Sequence, residues 1–189
     1  MPEERVADPG PLGLAGFAMT TFALSSWNAG IWHGAGLEAA LALAFFYGGL
    51  AQLLAGMWEF VRKNTFAALA FTSYGAFWLA FYALIKFDLP GGGSDTVPIF
   101  LLGWTIFTLY MTLAATKTNN AVLTVFVLLS ITFILLTIGN WGTTHTFMDI
   151  VKAGGWVGLA TAAAAWYASA AGVTNATHGK VVFPVGPRG

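Results

Sequence analysis

Six long apolar runs separated by short polar stretches organise this chain. They lie near Leu12–Ala29, Leu37–Met57, Thr65–Ile85, Val97–Thr116, Ala121–Gly139 and Ile150–Gly172. Each is close to the roughly 20 residues that an α-helix needs to cross the hydrocarbon core of a bilayer. The intervening segments, Gly30–Gly36, Trp58–Asn64, Lys86–Thr96, Lys117–Asn120 and Asn140–Asp149, are too short to hold a soluble domain. Gly91-Gly92-Gly93-Ser94 makes the third of them a flexible turn. The pattern predicts an all-α integral membrane protein with a six-transmembrane-helix bundle over residues 12–172. Residues 1–11 precede the bundle and residues 173–189 form a C-terminal tail. Any function must then lie within the bundle.

The start of the first run is unusual. In Asp8-Pro9-Gly10-Pro11-Leu12-Gly13-Leu14-Ala15-Gly16-Phe17, two prolines fix φ and push the residues before them away from helix. Asp8 has the short oxygen-bearing side chain of an N-cap, and Pro11 suits a first helical turn. Gly13 and Gly16 strip one side of the new helix, so that another backbone can come close. Thr20 and Thr21 put hydroxyls about one turn further in.

Composition agrees with a lipid environment. Of 189 residues, 57% are hydrophobic and only 8% charged, with a mean hydropathy of +0.72; soluble domains carry about 25% charged residues. Zero formal net charge removes the electrostatic case for nucleic acid, and the lack of cysteine excludes disulfides and thiolate chemistry. Glu3, Glu4 and Asp8 against Arg5 are the wrong charge for a signal peptide, so the first span is expected to be retained. With the N-terminus inside, Arg5, Arg62, Lys63, Lys117, Lys180 and Arg188 fall on one side, and only Lys86 and Lys152 on the other. Both termini are therefore expected in the cytoplasm, with the protein a multi-pass component of the plasma (inner) membrane. Gly154-xxx-Gly158-xxx-Ala162 and the series Gly48, Gly49, Gly56 form small-residue faces, suited to packing inside one bundle and to self-assembly.

Polar groups within spans are the candidates for function, since each costs free energy unless paired. Asn28, Gln52, Thr72, Ser73, Tyr74, Trp78, Thr132 and Asn140 make up that inventory. Threonine and serine commonly bond back to their own helix, which makes Thr72, Ser73 and Thr132 structural. Gln52, an amide in mid-span, must face a partner or a wet cavity. Glu38, Glu59 and Asp149 flank spans and none lies at mid-membrane; Glu59 reads as a salt-bridge partner of Arg62 or Lys63. His33, His145 and His178 have no ligand spacing, so no metal and no cofactor are expected. No catalytic constellation can be assembled at a common depth, and Lys152 opens the last run rather than lying within it. An enzyme or a retinal protein is a poor fit. What remains is a passage lined by hydroxyls, amides and aromatics, suited to a small, weakly polar or monoanionic solute. Phe17 and Tyr74 would either pack the bundle or form an apolar collar.

The motifs together resemble the acetate uptake transporter family, the succinate–acetate permeases. Asp8-Pro9-Gly10-Pro11-Leu12-Gly13-Leu14 is similar to that family's Asn-Pro-Ala-Pro-Leu-Gly-Leu signature. The likeness continues in Gly16-Phe17, Met19-Thr20-Thr21, Phe46-Tyr47-Gly48-Gly49-Leu50-Ala51-Gln52, Asn64-Thr65-Phe66 and Ala70-Phe71-Thr72-Ser73-Tyr74-Gly75-Ala76-Phe77-Trp78. It closes in Ile138-Gly139-Asn140 and Gly155-Trp156-Val157-Gly158, so it covers nearly the whole chain.

The resemblance implies a homo-oligomer, expected to be a hexamer, with a pathway in each protomer for acetate and sometimes succinate. Passage is channel-like or coupled to protons. It also implies a constriction of Phe, Tyr and Leu, matched here by Phe17, Tyr74 and Leu129. Leu129 follows from ungapped alignment back from Ile138-Gly139-Asn140; a one-residue slip would bring Leu128 there instead. Thr20, Thr21, Asn28, Gln52 and Trp78 are the expected pathway residues, and Asp8, Pro9, Pro11 and Gly13 mark the inner mouth. Asp8 in place of the signature Asn adds a negative charge there, which repels an anion unless a nearby Lys or Arg neutralises it. Two other readings stay open: a channel for a neutral solute or an ion, and a non-transporting membrane sensor.

Overall fold

A computed structural model describes residues 6–33, 36–87 and 95–188. The glycine turn at 91–94 and the charges of Glu3, Glu4 and Arg5 lie outside the described residues. Within them the chain is helical: α1 (Gly10–Asn28), α2 (Gly36–Phe45), a π-helical segment (Phe46–Ala51), α3 (Gln52–Val61), α4 (Thr65–Lys86), α5 (Thr96–Ala115), α6 (Asn120–Gly139) and α7 (His145–His178). α2, the π segment and α3 follow one another as a single rod. Rods α5, α6, α7 and α1 pack in sequence, α1 packs on the α2–α3 rod, and α3 on α4. A lighter α4–α5 contact closes the ring.

Local chemistry explains where the helices start and stop. Asn64 and Asn119 cap α4 and α6, accepting hydrogen bonds from the amides of Ala67 at 3.2 Å and Val122 at 2.9 Å. Asp8 does not cap α1. Pro9 holds that position, and Asp8 Oδ1 instead accepts the amide of Gly10 at 2.9 Å, two residues on, in an Asx-type turn. The proline is helical at this point, so the polar side chain is displaced one residue outward. Gly179, with φ of +63°, ends α7, which runs well beyond the expected Ile150–Gly172 at both ends.

The π segment was not anticipated from the apolar pattern, which reads only as one continuous helix. It holds Gly48 and Gly49 where the rod crosses α1 and α4. A Cβ on Gly48 would meet Trp78 Cδ1 at 2.8 Å, and one on Gly49 would meet Leu79 Cδ2 at 2.7 Å. From the other side, a Cβ on Gly16 would lie 2.6 Å from the carbonyl oxygen of Tyr47. Gly154 likewise presses on Leu136 of α6, Gly155 on the backbone of Ala29, and Gly158 on Ser25. The small-residue faces are spent inside the bundle.

Polar side chains are buried within a mostly apolar core, and many large apolar side chains face outward. Gln52, Glu59, Thr20, Thr108 and Thr161 are among the most deeply buried side chains, while Phe46, Ile99, Ile106 and Leu113 are exposed. Hydroxyl pairs link neighbouring rods inside: Thr105 with Thr137 at 2.9 Å, Thr112 with Ser130 at 2.8 Å, and Thr132 with Thr161 at 3.2 Å. Such bonds replace the hydrophobic drive that lipid does not supply. At the lighter α4–α5 seam aromatics take over, with Tyr74–Phe107 and Phe77–Trp104 ring centroids 5.3 Å and 5.2 Å apart. Among the described residues, four rods, Gly36–Val61, Thr65–Lys86, Thr96–Ala115 and Asn120–Gly139, are long and apolar enough to cross a membrane. α1 and α7 are diluted by Gly, Ala, Ser and Thr.

The C-terminal residues fold back onto the bundle. The Asn175 side chain bonds the amides of Val182 and Phe183 and the carbonyl of Phe183. Pro187 pairs with Asn119, and Arg188 reaches Asn120 at 2.7 Å.

Candidate functional site

Two cavities lie inside the ring. The first, about 350 Å³, opens among Asp8, Arg62, Asn64, Thr118 and Asn119, at the α1 start and the α3–α4 and α5–α6 turns. The second, about 170 Å³, reaches Asn28, Leu37, Ile85, Val97 and Asn140 at the opposite helix ends. Among the described residues, Phe17, Tyr74 and Leu129 line both, and no other does. These three come from α1, α4 and α6 and are 5%, 3% and 4% exposed. They form the partition between the cavities.

Tyr74 is held by its neighbours. The Phe17 and Tyr74 ring centroids are 5.8 Å apart at 53°. Tyr74 is bonded through its hydroxyl to Thr108 Oγ1 at 2.9 Å. Thr108 already donates to the Trp104 carbonyl at 2.7 Å, so its oxygen is left to accept the phenol proton. Phe107 stands edge-on to the same ring, fixing its tilt. Leu129 faces the partition, whereas Leu128 is partly buried and lines neither cavity.

The other candidates divide. Gln52 is 1% exposed, lines the first cavity and has an unpartnered Oε1. Thr21 and Trp78 line the second cavity, with Thr21 Oγ1 and Trp78 Nε1 both buried and unpartnered, and Asn28 stands near its far end. Thr20 lines neither. Its hydroxyl donates to the Gly16 carbonyl at 2.8 Å and contacts that of Leu43 at 3.4 Å. Next to Thr21 in sequence, it is turned about 100° around the helix and packs against Gly48 of the π segment. Asp8 lies at the opening of the first cavity. Pro9 accepts the Gly13 amide at 3.0 Å, Pro11 accepts the Ser169 hydroxyl at 2.6 Å, and Gly13 makes room for the Phe71 ring. These three build the mouth without lining it.

Charge collects at that mouth. Arg62 Nη1 contacts Asp8 Oδ1 and lies 3.8 Å from Glu59 Oε2. Glu59 is 1% exposed and lines the cavity, and its contact with Arg62 is the salt bridge expected of it. The sequence reading passed over Thr108, the support of Tyr74, and Thr118 and Asn119 at the rim. A threonine on a lipid-length helix carries no sign of which neighbour it will meet.

A family model described as the GPR1/FUN34/yaaH family matches residues 1–187. The chain belongs to the GPR1/FUN34/yaaH family. Among its relatives, acetate permease A of Emericella nidulans is 38% identical over 96% of this chain, which spans 66% of that longer protein. The succinate-acetate/proton symporter SatP of Escherichia coli K12 is 38% identical, with 98% of each chain covered. A solved structure of the bacterial acetate channel SatP superposes with a TM-score of 0.89 at 37% identity, covering 96% of this chain and all of the other. The GPR1/FUN34/yaaH membership and this likeness extend over both cavities and the partition between them.

Proposed function

We propose that this protein carries acetate and related short carboxylates across the plasma (inner) membrane, through the two cavities of each protomer. The observation that carries the reading is the pair of cavities meeting at Phe17, Tyr74 and Leu129. In it, α1 and α7 span the bilayer beside the four more apolar rods, making six spans. Both termini and the Asp8 mouth face the cytoplasm, and protomers assemble as a homo-oligomer, a hexamer by resemblance to the family. Relatives named acetate permease and succinate-acetate/proton symporter support the substrate class. Succinate is the further candidate.

The chemistry proceeds from mouth to partition. Gln52 replaces part of the hydration of the carboxylate in the first cavity, and Thr21 Oγ1 and Trp78 Nε1 do so in the second. At the partition, two rings and a leucine offer no hydrogen bond along most of their surface, so the solute passes nearly dehydrated and larger acids are excluded. Size selection there follows from shape: one methylene in an apolar pocket is worth about 1–3 kcal/mol.

Labelled-acetate uptake into proteoliposomes, against protein-free vesicles near neutral pH, tests the reading. Accumulation only with an inward proton gradient, at clamped potential, identifies proton-coupled symport. Equilibration with or without the gradient identifies a channel. Uptake no greater than in empty vesicles, with the protein shown to be folded, overturns the transport reading.

A further inference from the structure

The mouth of the first cavity carries three charged side chains, Asp8, Glu59 and Arg62. Among the described residues, Arg62 is the one cation lining either cavity. Its guanidinium stands between two carboxylates that differ in their freedom. Glu59 is 1% exposed and fixed within α3; Asp8 is 49% exposed and precedes the first helical turn of α1. Asp8 is anchored by the Gly10 amide through the same Oδ1 atom that contacts Arg62. A carboxylate therefore already sits on the cation at the opening of a cavity assigned to carboxylates.

Building on the transport reading, we infer that Asp8 is a tethered competitor for substrate at Arg62. The carboxylate of an incoming solute takes the place of Asp8 on the guanidinium, and Glu59 keeps its own. The exchange leaves the charge around Arg62 unchanged, because one carboxylate departs to solvent as another arrives. An anion held beside Glu59 without displacing Asp8 would add a further negative charge at the mouth. Arg62 is thus the capture residue of the mouth, and the Asp8 contact raises the concentration at which the mouth fills. Charge-assisted bonds of arginine to carboxylate have the strength and geometry for such a site.

The test is equilibrium exchange of labelled acetate in proteoliposomes, with equal total acetate on both sides so that orientation does not matter. Asp8→Asn keeps an oxygen acceptor for the Gly10 amide and removes only the charge. It should lower the half-saturating concentration about two- to fivefold, the range an exposed ion pair supports. Arg62→Gln should raise that concentration by about fivefold or more, and Arg62→Lys should restore part of it. In the Arg62→Gln background, with about 0.5 M salt present to screen the longer-range repulsion from Asp8, Asp8→Asn should lower that concentration less than in the wild-type background. The same lowering in both backgrounds overturns the inference, since Asp8 would then act as a fixed charge independent of Arg62. No effect of Asp8→Asn in the wild-type background overturns it as well. Absence of exchange by the folded wild-type protein overturns the transport reading itself, a result distinct from either.

Discussion

Leu129→Ala is the sharpest probe of the partition. The substitution removes three side-chain carbons from a residue that lines both cavities and is 4% exposed. Leu→Ala in a closed core costs about 2–5 kcal/mol. Leu129 has cavity on two sides and loses fewer packed neighbours, so the expected cost is near about 2 kcal/mol, small enough for the bundle to fold. The larger effect is on selection. Cavities of about 350 Å³ and 170 Å³ would communicate through a wider gap, relieving lactate-sized acids, which exceed acetate by one carbon and one hydroxyl, of a misfit of at least one methylene. That misfit is worth about 1–3 kcal/mol, and 1.4 kcal/mol corresponds to tenfold in rate. The acetate-to-lactate uptake ratio should therefore fall by roughly tenfold. Paired uptake of labelled acetate and lactate into proteoliposomes measures it, with thermal unfolding in detergent as the control for folding. A folded variant with an unchanged ratio would refute the role of Leu129 as the size filter.

Other substitutions address the supports of the site. Tyr74→Phe removes the 2.9 Å bond to Thr108 and should lower stability by about 0.5–1.5 kcal/mol; an unchanged melting temperature would show that the bond does not hold the ring. Gly16→Ala places a Cβ 2.6 Å from the Tyr47 carbonyl oxygen, and overpacking of this kind costs about 1–3 kcal/mol. Wild-type stability in that variant would mean that α1 does not press on the π segment. Asn175→Ala removes the contacts that hold Val182 and Phe183. Hydrogen exchange at those two amides should quicken by about tenfold, and unchanged exchange would argue against the folded-back C-terminus.

The sequence by itself determined the solvent and the class of structure. Apolar runs of membrane length, separated by short polar turns, leave a helical bundle as the economical arrangement, because every backbone polar group in lipid must be satisfied within its own segment. The family resemblance also pointed to Phe17, Tyr74 and, by alignment back from Ile138-Gly139-Asn140, Leu129, and these three line both cavities. Rotation of the helices was a different matter. α1 is packed on several sides, so no polar stripe tells Thr20, turned to the π segment, from Thr21, turned to the second cavity. The π segment holds close crossings at Gly48 and Gly49 that only the neighbouring rods define. Asp8 and Arg62 are 54 positions apart, and they pair because the start of α1 and the end of α3 meet at one mouth. Local composition decides what a segment is; which side chains face one another depends on how the rods are turned and packed, which tertiary contacts alone decide.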